Sequence, residues 1–91
     1  MKTWDEYKKQ IKESDPEAAH DLEEAEALAD IIGAVIRERN DLGLSQRELA
    51  ALCSLPQSSI ARFESGKVSP NLTTLIRILR PLGLKLTVRG I

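Results

Sequence analysis

Ninety-one residues with a formal charge of −1 make one small domain with room for an appendage, and exclude two full catalytic domains. The composition, 42% hydrophobic and 30% charged with five Gly and four Pro, is that of an ordinary globular chain rather than a low-complexity one. A single Cys excludes an internal disulfide and a Cys-rich zinc site, and fits a reducing compartment. The opening Met1-Lys2-Thr3-Trp4-Asp5 lacks the apolar run of a signal peptide, and no stretch reaches the ~18 apolar residues of a membrane span. A cytoplasmic protein without membrane contact is therefore expected.

Thr3-Trp4-Asp5-Glu6 has the spacing of a capping box and predicts a short helix over about 4–13. Asp15-Pro16 restarts the chain, since Asp is a good N-cap and Pro suits the first helical position. From there Leu22, Ala25, Leu28, Ala29, Ile32, Val35 and Ile36 recur at steps of three and four up to the stop at Asn40-Asp41-Leu42-Gly43, which predicts one long helix or two joined near residue 24. Ser45-Gln46-Arg47-Glu48 is a second capping box, opening a helix over 46–52 with Leu49, Ala50 and Cys53 inward. Ser54-Leu55-Pro56 breaks it. Helical spacing resumes from Gln57, with Ile60 and Phe63 inward and Gly66 as a left-handed C-cap. Asn71 caps a fifth helix carrying Leu72, Leu75, Ile76, Ile78 and Leu79, which Pro81 and Gly83 end.

The period then changes to two. Leu84, Leu86 and Val88 alternate with Lys85, Thr87 and Arg89, the pattern of a half-buried strand. No second strand is visible, so this one is expected to pair with a symmetry mate, with another protein, or to remain an unordered tail capping the core. A two-stranded ribbon across a homodimer is the reading adopted, with Leu84, Leu86 and Val88 as its dimerisation residues. The expected divisions are an acidic helical extension over 1–23, a helical body over 24–83 and the strand over 84–91.

Two short helices joined by a tight turn, flanked by further helices, match the helix-turn-helix arrangement. The run from Gly43 to Lys67 carries Gly-Leu-x-Gln-x-x-Leu-Ala, then Gln-x-x-Ile, then Glu-x-Gly-Lys, and in these residues the chain closely resembles the lambdoid-repressor, or XRE, family over about residues 31–83. The resemblance implies an all-α, five-helix fold of the lambda-repressor kind that binds double-stranded operator DNA. It also implies site residues. Gln46 would bond a backbone phosphate with its side chain and its amide; Gln57, Ser58 and Arg62 would reach base edges; Ser59 and Lys67 would be positioning contacts to phosphate; and Arg47 belongs to the DNA-binding set. Gln pairs with adenine and Arg with guanine, whereas Ser discriminates weakly. Arg39 and Glu64 sit where some members hold a partly buried ion pair, a structural role.

Nothing points to an enzyme, a metal or a cofactor: there is no Gly-rich phosphate loop, no ligand spacing and no clustered acid and base. His20, the only His, reads as a surface residue, and Cys53 as a buried thiol.

The charge is unevenly spread. Residues 1–30 carry four Lys against ten acids, a net −6, and residues 31–91 carry nine Arg or Lys against four acids, a net +5. A basic body suits a polyanion and an acidic arm suits a cationic partner. The layout of acidic extension, helix-turn-helix and closing Leu-Gly-Leu-Lys-Leu-Thr-Val is similar to the HigA-type antitoxins of type II toxin-antitoxin systems. That similarity implies a homodimer that represses its own operon and holds a small basic ribonuclease toxin of the RelE or HigB kind inactive. Trp4, Tyr7 and Ile11 share one helical face, with Leu22 near, and are taken as toxin contacts; the same face could instead fold back onto its own domain. Two other readings stay open: a stand-alone XRE-family repressor, and a protein-binding module that kept the fold without DNA binding.

Overall fold

A computed structural model describes residues 3–90; Met1 and Lys2 of the extension and Ile91 of the expected strand lie outside the described residues. Five α-helices follow one another: α1 (Trp4–Ser14), α2 (Pro16–Asp41), α3 (Gln46–Cys53), α4 (Gln57–Glu64) and α5 (Leu72–Leu79), with a 3-10 turn at Arg80–Leu82. The chain forms two compact units, 1–30 and 31–91.

In the first unit, the Glu6 backbone N–H donates to Thr3 Oγ1 at 3.1 Å and the Thr3 N–H to Glu6 Oε2 at 3.3 Å, so the predicted capping box is formed. Asp15 serves both helices. Its backbone N–H donates to Ile11 O at 2.7 Å, closing α1, while its carboxylate accepts from the Ala18 N–H at 3.1 Å, opening α2. Lys8 Nζ bridges from α1 to both carboxylate oxygens of Glu26 on α2, at 3.1 and 3.0 Å. Of the two arrangements expected for residues 16–41, the single helix is found, about 39 Å long at 1.5 Å per residue.

In the second unit, Ile32 and Val35 of α2 are buried together with Leu49, Ala50 and Cys53 of α3, Ile60 and Phe63 of α4, and Ile78, Leu79 and Leu82. From Ile31 to Ile36 the helix carries four β-branched aliphatic side chains, Ile31, Ile32, Val35 and Ile36, whereas the apolar positions of residues 16–30 are mostly Ala set among six acids, so the bulk that fills this core comes from Ile32 and Val35. The capping box of α3 is also present: the Glu48 N–H donates to Ser45 Oγ and the Ser45 N–H to Glu48 Oε1, each at 3.0 Å. Asn71 Oδ1 accepts from the Thr74 N–H at 2.8 Å to start α5.

Of the strand expected over 84–91, the described part, 84–90, is not formed as a strand. Residues 84–90 continue as irregular chain, and no strand occurs among the described residues. A strand needs a second backbone to pair with, and the described chain offers none. Instead the Leu84 N–H donates to Leu79 O at 3.1 Å, closing the turn after α5, and Val88 is 95% exposed.

Candidate nucleic-acid interface

The turn between α3 and α4 sets the angle of the candidate recognition helix. Ser54 adopts φ +56°, and the Leu55 N–H reaches back to Ala50 O at 2.9 Å, a Schellman closure that ends α3 abruptly. Pro56 then starts α4 without a side-chain cap. The Ser59 N–H donates to Pro56 O at 3.0 Å, so among the first-turn amides those of Gln57 and Ser58 face outward without a side-chain cap, and such a helix terminus favours an anion.

Along α4, Gln57, Ser58 and Arg62 are exposed, and Ile60 and Phe63 are buried on the opposite side. The 3.6-residue period puts Ser58 and Arg62 one turn apart, with Gln57 beside them, on one outward surface. Ser59 is half-buried on the shoulder of the helix; Arg47 and Lys67 are exposed. From Leu49 to Ile91 the chain has six basic side chains and one acidic one, Glu64. Glu64 points inward, its side chain 5% exposed. No carboxylate of α4 is thus turned outward against a polyanion.

Glu64 is the hub beneath this surface. Arg39 Nε donates to Glu64 Oε2 at 2.7 Å and Nη2 to Oε1 at 2.8 Å, a two-pronged pair, while Nη1 donates to Leu44 O at 2.9 Å. Hydrogen bonding to Glu64 holds the Arg39 guanidinium above its ordinary pKa despite partial burial. The predicted ion pair is present. One contact was not foreseen: Gln46 Nε2 donates to Glu64 Oε1 at 3.0 Å. The amide expected on a phosphate is thereby oriented by the buried pair, with one N–H committed to Glu64. Eighteen residues separate Gln46 from Glu64, and no spacing rule connects them.

Trp4 and Tyr7, the expected toxin contacts on α1, are 49% and 47% exposed and stack with centroids 5.8 Å apart. Ile11 and Leu22 are half-buried within the same unit. His20 is exposed. Cys53 is buried, and burial pushes its thiol up, opposed by the nearby Arg77 charge. Among the described residues no helix is long and apolar enough to cross a membrane.

The helix-turn-helix family profile matches residues 35–88, covering the half of α2 that enters the core, the turn and everything after it. The chain belongs to the XRE-type helix-turn-helix family. This helix-turn-helix chain is 34% identical over 85 residues to an uncharacterized HTH-type transcriptional regulator of Haemophilus influenzae, a match spanning 93% of the chain and 82% of that protein. It is 45% identical over 49 residues to the HTH-type transcriptional regulator PuuR of Escherichia coli, and 39% identical over 61 residues to human endothelial differentiation-related factor 1. Those two matches take in only 26% and 41% of the respective relatives, so the chain spans less than half the length of either. No solved structure gives a significant match. The helix-turn-helix domain and the regulators it resembles support a DNA-binding transcriptional regulator.

Proposed function

We propose that the protein is a transcriptional regulator that binds operator DNA as a homodimer and doubles as the antitoxin of a RelE- or HigB-like ribonuclease toxin. The observation that carries the DNA reading is the outward surface of Gln57, Ser58 and Arg62 above a carboxylate that is turned inward and paired. In this reading Gln57, Ser58 and Arg62 read base edges, while Gln46, Arg47, Ser59 and Lys67 hold phosphates. Residues 1–23 serve as the toxin-binding arm, 24–83 as the DNA-binding domain, and 84–91 as the dimerisation segment, in which Leu84, Leu86 and Val88 pair with their counterparts across the two-fold axis.

The toxin reading is supported by the −6 net charge of residues 1–30, which disfavours DNA and suits the cationic surface of an RNA-cleaving partner. The half-exposed Trp4–Tyr7 pair supplies the aromatic anchor that protein interfaces favour. A stand-alone regulator is the second reading, favoured by the names of the bacterial relatives, both transcriptional regulators.

Two experiments test these parts separately. For DNA, Arg62→Ala weakens a cognate duplex by about 1–3 kcal/mol and a random duplex far less, whereas Gln46→Ala weakens both. Equal losses on both duplexes for Arg62→Ala overturn its base-reading role. For the toxin, co-expression with the product of a short adjoining gene yields a stable complex in size-exclusion chromatography with altered Trp4 fluorescence. Elution as separate proteins leaves the stand-alone regulator.

A further inference from the structure

Gln46 opens α3, where its backbone N–H has no acceptor within the helix, and its side chain lies against Glu64 of α4. The two oxygens of Glu64 are unequally used. Oε2 accepts once, from Arg39 Nε at 2.7 Å, whereas Oε1 accepts twice, from Arg39 Nη2 at 2.8 Å and from Gln46 Nε2 at 3.0 Å. A carboxylate can only accept, so the Gln46 atom that faces it has to be the nitrogen. Turning that amide over would press its oxygen against the carboxylate, two acceptors with no proton between them.

A carboxylate beneath a phosphate-binding side chain would ordinarily work against DNA. Here its charge is cancelled on the spot, because Arg39 closes on it with two N–H groups. Glu64 therefore acts on Gln46 by direction more than by charge. One Nε2 proton goes to Glu64, and the other has no acceptor among the described residues.

We propose that Glu64 is a positioning residue for DNA binding: it holds the Gln46 amide nitrogen-first, which keeps the second Nε2 proton ready for a phosphate and the amide oxygen out of that place. The inference rests on the reading of Gln46 as a phosphate contact. Without the lock the amide turns over freely and spends part of its time offering an acceptor to an anion. Glu64 also lies two residues beyond Arg62 on α4, so the same bond keeps the phosphate donor in register with the helix proposed to read bases.

Replacing the ion pair as a whole, Arg39→Met with Glu64→Leu, leaves net charge unchanged, and buried pairs often tolerate such an exchange without loss of stability. Circular dichroism and urea unfolding verify the fold. Affinity for a random-sequence duplex at low salt is then compared for the unaltered chain, Gln46→Ala, the pair replacement, and all three changes together. Gln46→Ala lowers affinity roughly tenfold in the unaltered chain, and no more than about twofold once the pair is gone. Equal losses in both backgrounds overturn the lock while leaving the phosphate contact standing; no loss in the unaltered chain overturns the phosphate reading and the lock with it. If the replaced chain does not fold, heteronuclear NMR of the Gln46 side-chain amide in the unaltered chain decides. Adding duplex moves the resonance of one Nε2 proton and leaves the other, held by Glu64, in place. Movement of the Glu64-bound proton to an unbonded position overturns the lock, and movement of neither overturns the phosphate reading.

Discussion

Glu64 shows how one buried carboxylate can organise a surface it does not belong to. It accepts from Arg39 twice and from Gln46 once, and so fixes the end of α2, the start of α3 and the end of α4 to one another. Removing it leaves the Arg39 guanidinium, 13% exposed, without its counter-ion. Glu64→Ala is therefore expected to cost about 3–5 kcal/mol in urea unfolding, and to loosen Gln46 as well. Cys53 offers a second check at this scale. Burial raises its pKa in the folded state above that in the unfolded chain, so the folded protein favours the neutral thiol. The resulting stabilisation is complete below the unfolded pKa and fades as pH rises through the folded one. At pH 8 a thiol reagent should label the native protein only at the rate of its opening, and promptly in denaturant. The sequence motif pointed to Arg39, Glu64 and Cys53 correctly. It could not show Gln46 on Glu64, because that contact exists only once three helices have packed.

Helix ends were the most legible elements. Both capping boxes, at Thr3 and Ser45, and the Asn71 cap are local hydrogen-bond patterns written in residues three apart, and all three are formed. The turn of the helix-turn-helix was less so. Gly43, Gly66 and Gly83 end their helices at positive φ, but after α3 the same conformation falls on Ser54. A side chain there pays a steric penalty that glycine avoids, so Ser54→Gly should stabilise the domain by about 0.5–1 kcal/mol, a rise in Tm of a few degrees. A lower Tm would mean that the Ser54 hydroxyl does more than its backbone suggests. The C-terminal segment shows the opposite failure. Alternation at Leu84, Leu86 and Val88 reports which side chains share a side, and says nothing of whether a backbone lies alongside to complete a ladder. Continuity of α2 was open in the sequence because its acidic first half carries too little apolar period to distinguish one helix from two.

For the whole molecule, the division of charge is the dominant feature, and it is read directly from the chain. Residues 1–30 at −6 repel the polyanion that residues 31–91 at +5 attract. Neutralising three exposed acids of α2 by Glu17→Gln, Asp21→Asn and Glu24→Gln should raise affinity for random duplex DNA by roughly threefold to tenfold at low salt, with the gain fading as ionic strength increases. Filter binding across a salt series checks this; an unchanged affinity would show that the acidic unit stays beyond electrostatic reach of the duplex. Sequence patterning exposed the two opposite charges and the helices bearing them. The exposed part of α5 was not legible, since Leu72 and Ile76 have the same period as their buried neighbours Ile78 and Leu79.

The outward residues of α4 bear one last consequence. Gln57, Ser58 and Arg62 are exposed, while the anchoring of α4 is done from its other side by Ile60, Phe63 and Glu64. Exchanges among the three should shift stability by no more than about 0.5 kcal/mol. The lettering can be reset without rebuilding the page, so divergent copies of this gene could acquire new addresses on a chromosome by a handful of point changes, each intermediate remaining a folded protein.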